Sequence, residues 1–97
     1  MMRAKRDYDL VIEDFAEGES KVYGINWTGW LDGANITSSE IEADQGLTAT
    51  HVSNTATVQR FRLEDGRAGT NYSLVATVNT STGDTLKCSL LVVCRLP

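Results

Sequence analysis

The stretch that decides the fold is Arg62-Leu63-Glu64-Asp65-Gly66-Arg67-Ala68-Gly69-Thr70-Asn71-Tyr72-Ser73-Leu74. Before it, Phe61 and Leu63 share one face of an alternating segment, and Arg60 and Arg62 take the other. After it, Tyr72, Leu74, Ala76 and Val78 recur with period two, the pattern of a half-buried strand. Between the two runs, Gly66 and Gly69 can supply backbone angles that residues with a Cβ adopt only at a cost. A leucine, a glycine turn and a tyrosine entering the next strand have the form of a tyrosine corner. In such corners the ring packs inward while its hydroxyl hydrogen-bonds to backbone a few residues upstream. The plainer reading is a loop followed by a core tyrosine. Both readings give antiparallel β structure.

Working outward, the same alternation recurs. Tyr23, Ile25 and Trp27 share a face of a strand over residues 21–27, and Thr28-Gly29 breaks it. Trp27 is the natural core aromatic, while Trp30 belongs either to the core or to an interface, where tryptophan is enriched. Asp32-Gly33 is a turn signal. A polar strand over 35–43 puts Ser38, Glu40 and Glu42 on a wet face with Ile41 inward. Asp44-Gln45-Gly46 turns it into a strand over 47–53, whose inward face carries Leu47, Ala49 and His51. The last strand, over 85–96, aligns Leu86, Cys88, Leu90, Val92 and Cys94 on one side. Leu91 and Val93 on its other side call for cover by a neighbouring subunit or by the N-terminal segment. The expected fold is therefore an all-β, immunoglobulin-like antiparallel sandwich of six to seven strands over residues 15–97. Residues 1–14 read as an N-terminal arm or an edge strand. Tyr8, Val11, Ile12 and Phe15 fit helical spacing there, whereas Tyr8, Leu10 and Ile12 fit strand spacing.

Composition narrows the function. The 97 residues make one domain, and at 41% hydrophobic they supply a modest core without a deep cavity. The net charge of −4 argues against a nucleic-acid binder. Residues 1–46 carry four basic and ten acidic side chains, and residues 47–97 carry five and three, a split of −6 and +2. Unlike faces of this kind suit head-to-tail contacts. No apolar run approaches membrane-spanning length. Cys88 and Cys94 lie on one strand, where extended backbone would part them by roughly 20 Å, so two free, buried thiols are expected.

The inventory for catalysis is thin. His51 is the only histidine, both cysteines alternate with aliphatic residues, and no cysteine–histidine set has zinc spacing. The turn aspartates Asp32, Asp65 and Asp84 stand singly rather than as a calcium cluster. The sequence implies no enzyme, no cofactor and no metal.

Several stretches in order resemble the small fiber-tail adaptor proteins of tailed bacteriophages. They are Val22-Tyr23-Gly24-Ile25-Asn26-Trp27-Thr28-Gly29-Trp30-Leu31, Asp32-Gly33-Ala34-Asn35-Ile36-Thr37-Ser38-Ser39, Gly46-Leu47-Thr48, Ala68-Gly69-Thr70-Asn71-Tyr72, and Asn79-Thr80-Ser81-Thr82-Gly83-Asp84-Thr85. Asn26 stands where that family carries aspartate, and Phe61 where tryptophan is common. The resemblance implies a structural virion protein, made in the host cytoplasm, that acts in several copies at a tail or neck and contacts tail, nozzle, portal or fiber proteins. The interface candidates are then Trp30, Arg60, Arg62, Leu91 and Val93, and the structural residues are Leu63, Gly66, Gly69, Tyr72 and Trp27. A capsid cement protein, or a free carbohydrate- or protein-binding module, are the alternatives.

Overall fold

A computed structural model describes residues 8–97. Seven strands run in order: β1 Leu10–Ile12, β2 Lys21–Asn26, β3 Ile36–Ala43, β4 Thr48–Asn54, β5 Val58–Glu64, β6 Asn71–Thr80 and β7 Thr85–Val93. A single helical turn, α1 Thr28–Leu31, lies between β2 and β3. The strands form a four-stranded sheet ordered β1-β7-β6-β3 and a three-stranded sheet ordered β2-β5-β4. The two pack as a sandwich, an arrangement compatible with an immunoglobulin-like fold.

Alternation decides which side chains fill the space between the sheets. From β5 come Gln59, Phe61 and Leu63, and from β6 Tyr72, Leu74, Ala76 and Val78, all buried. Cys88, Leu90 and Val92 of β7 complete the facing wall. Burying each large apolar side chain is worth about 1.5–3 kcal/mol, so this shared interior is the main force holding the sheets together. Both cysteines are buried and free, as expected from their positions on one extended run.

Two departures from simple alternation have local causes. Residues 28–31 coil into a helical turn where the sequence predicts only a break at Thr28-Gly29. Asn26 Oδ1 accepts the Thr28 N–H at 3.0 Å and Trp27 O accepts the Leu31 N–H at 3.1 Å, which closes the turn. In β4 the register against β5 shifts between His51 and Ser53. His51, expected on the inward face, is instead exposed. It is still paired with the buried Phe61, but β4 is a sheet edge, and among the described residues only the Ser39 hydroxyl approaches its Nδ1, at 3.4 Å.

The segment before residue 15 is described from Tyr8 onward, and its first seven residues lie outside the described part. Leu10–Ile12 pairs with β7 in parallel, the one parallel ladder among otherwise antiparallel named strands. Asp9 fastens this short strand twice: its N–H donates to Ser89 O at 2.9 Å, and its carboxylate accepts the Ser89 N–H at 2.8 Å. Phe15 then turns into the core with no exposed surface.

Candidate functional site

The β5–β6 connection is built around Tyr72. Its ring is 4% exposed, and its hydroxyl accepts the Arg67 N–H at 2.9 Å. Leu63, at the other side of the connection, is fully buried. Gly69 takes a left-handed φ of +82° and donates its N–H to Cys94 O at 3.0 Å. Gly66 meets a different demand. It has no left-handed angle, and Asp65 carries that angle instead, with φ 68°. A Cβ on Gly66 would sit 2.7 Å from Phe15 Cε2 and 3.1 Å from Cys94 Sγ, so the backbone passes where no side chain fits. The Glu17 carboxylate accepts the Ala68 N–H at 2.8 Å and ties the connection to the turn ahead of β2. Glu17, Gly18, Asp65, Gly66 and Arg67 surround a surface hollow there.

At the opposite end, Trp27 is 1% exposed and donates its indole N–H to Gln59 Oε1 at 3.0 Å. The Gln59 amide in turn donates to Glu40 O at 2.9 Å, so both buried polar groups are satisfied. Trp30, on α1, is 46% exposed and meets the Trp27 ring edge-on, with centroids 5.2 Å apart.

Arg60 and Arg62 point outward from β5, the middle strand of its sheet. Arg62 donates to the Ser20 hydroxyl at 3.0 Å, and that hydroxyl donates to Glu64 at 3.0 Å. Arg60 is exposed and has no side-chain partner among the described residues. On the other sheet, Leu91 and Val93 are half-buried, and Leu91 stands between Val11 of β1 and Ser73 of β6. The Tyr8 hydroxyl reaches Ser73 Oγ at 2.7 Å, so the N-terminal segment crosses this face.

Near the start of β2, Asp14 pairs with Lys21 at 3.0 Å and accepts the Tyr23 hydroxyl at 3.2 Å. The Lys21 hydrogen bond holds the Asp14 carboxyl below its usual range. Burial, then the Asp14 charge, push the Tyr23 phenol well above its ordinary value. Burial also raises the Cys88 thiol to about 11, with Asp9 adding to the effect, and it raises Cys94. Both thiols are thereby kept protonated, and neither is poised as a nucleophile.

These residues do not converge on one centre. Tyr72, Gly66 and Gly69 gather at one end, Trp27 and Trp30 at the other, and the arginines and Leu91–Val93 on opposite outer faces. No group of three or more potential metal ligands occurs among the described residues. Two fully buried residues, Phe15 and Gln59, are not among the core residues expected from the sequence pattern. Gln59 shares the parity of Phe61 and Leu63, which was the signal that it turns inward. Phe15 was hidden by the competing spacings of its segment.

No curated protein matches the chain. Residues 16–93 match the family model described as podophage GP4 fiber-tail adaptor protein gp77. The matched region begins at Ala16, which bridges to Arg95, and ends with the last residue of β7, so it takes in β2 to β7 and α1. This chain belongs to the podophage GP4 fiber-tail adaptor family.

Proposed function

We propose that the chain is a structural, non-catalytic adaptor of a podophage tail, carried in the virion in several copies and joined to tail, nozzle, portal or fiber proteins. The observation that carries this reading is the family match across residues 16–93. Such a role needs shape and surface rather than a reacting group. Copies meet through unlike faces. Arg60 and Arg62 on the three-stranded sheet are one such face, and Leu91 and Val93 on the four-stranded sheet are another. A ring of heterologous contacts then closes without a self-complementary patch. The two-sheet sandwich, β1 included, is the module itself. Among the described residues the edge strand β1, only three residues long, is the part that adjusts to a neighbour.

The test is electron microscopy of virions of the encoding phage, with the chain labelled by gold-conjugated antibody. Label at the tail is expected. Label spread over the capsid would make the chain a decoration protein and end the adaptor reading.

A further inference from the structure

We propose that the Trp30 end of the sandwich docks on a partner protein of the tail, seating Trp30 in an apolar pocket rimmed by lysine or arginine; this rests on the adaptor reading above. Three connections meet at this end and are stitched together. Ser81 N–H donates to Asn35 O at 2.8 Å, Ile36 N–H to Ala56 O at 2.8 Å, and Trp27 N–H to Thr57 O at 2.8 Å. From this platform Trp30 presents a large aromatic surface, 46% exposed. The ring is braced at 60° against Trp27, which is itself pinned by Gln59. A side chain already held in place loses little freedom on binding, and tryptophan is over-represented among residues that dominate interface energies.

Charge identifies the partner. Residues 22–59 and 79–86, which include all three connections, contain no lysine or arginine. Asp32 and Asp84 are exposed there. A surface of this sign selects a cationic rim around the pocket it enters. A sugar would require free polar side chains beside the ring to hold its hydroxyls. In sequence Trp30 stands between Gly29 and Leu31, Gly33 and Ala34 add nothing polar, and the exposed side chain that follows, Asp32, is a full carboxylate suited to a cation rather than to a set of hydroxyls. The Asn26 carboxamide oxygen already accepts the Thr28 N–H, and the Ser81 hydroxyl the Asn35 N–H, each at 3.0 Å. A protein pocket fits this surface better than a glycan.

The experiment adds purified full-length chain to virions of the encoding phage made without it, and counts bound copies. Trp30→Ala is expected to lower binding at least tenfold, Trp30→Phe less, and Asp32→Lys with Asp84→Lys several-fold. Val52, also 46% exposed but outside the platform, provides the control Val52→Ala, which binds like the wild type. Undiminished binding by a folded Trp30→Ala chain overturns the proposal. If that variant does not fold, iodide quenching of the wild-type chain decides. Trp30 emission quenched in the free chain and protected on the particle supports docking, and emission still quenched on the particle overturns it. Trp30→Ala virions that assemble fully but adsorb poorly to cells would assign the ring to a host glycan and overturn it too. Failure of the wild-type chain to bind tails at all would remove the adaptor reading itself.

Discussion

At Tyr72 one hydroxyl satisfies one backbone donor, so its worth is directly measurable. Tyr72→Phe removes the acceptor of the Arg67 N–H and is expected to cost about 1 kcal/mol in urea denaturation. The two corner glycines separate by mechanism. Gly66→Ala drives a methyl into the Phe15 ring and is expected to cost about 1–3 kcal/mol, partly restored by a smaller residue at 15. At Gly69 nothing lies within 4 Å of a built Cβ, so Gly69→Ala costs only the strain of its left-handed φ, about 1–2 kcal/mol, and no change at Phe15 relieves it. The sequence showed that two glycines mattered, but only packing distinguishes a torsional need from a spatial one. The thiols make a pH prediction. Cys88 rises from an ordinary 9.0 to about 11 on folding, so the folded state holds its proton more tightly. That contribution to stability is fully present below about pH 9 and is lost as pH rises toward 11. Denaturation midpoints at pH 8 and pH 10.5 should therefore differ in favour of pH 8, and Cys88→Ala should reduce the difference without abolishing it, because Cys94 and Tyr23 shift in the same direction. A thiol reagent at pH 8 should find neither cysteine in the native chain and both after unfolding.

Among the elements, β6 and β7 are interior strands of the larger sheet, and β5 is the interior strand of the smaller one. β5 and β6 are paired along both sides, β7 is paired with β6 throughout and with β1 at Leu90–Val92, and all three bury alternate side chains. By contrast, β1 is three residues long and β4 is an edge with an irregular register. Hydrogen exchange should accordingly be slowest in β5, β6 and β7 and fastest in β1 and the His51–Asn54 part of β4. Uniform protection across all seven strands would contradict this ranking. Strand existence was legible because inward and outward residues alternate almost without fault in β5, β6 and β7. The helical turn at Thr28–Leu31 was not legible, since four residues show no helical period and Gly29 reads as a break. The parallel course of β1 was equally hidden, because pairing direction depends on a strand distant in sequence rather than on Leu10–Ile12 itself.

For the whole molecule, the division of surfaces matters more than any single bond. Arg60→Glu with Arg62→Glu alters the outer face of β5 and leaves the interior intact. Melting temperature should change little, since exposed charges contribute little to stability. Incorporation into virions should fall if that face meets another protein, and full incorporation would free the face from the proposed contacts. The sequence could rank these surfaces only by residue type. It did not reveal that Trp30 and the Tyr72 corner occupy opposite ends, because that follows from how the strands are layered. The two ends differ in one practical respect. Ala16 bridges in parallel to Arg95, and the Arg95 N–H donates to Phe15 O at 3.1 Å, so the chain's last residues leave the fold beside the corner. A fluorescent protein or affinity handle appended after Pro97 would therefore extend away from the indole platform. It would act as a compass needle in projection images, reporting which way each copy points on the particle.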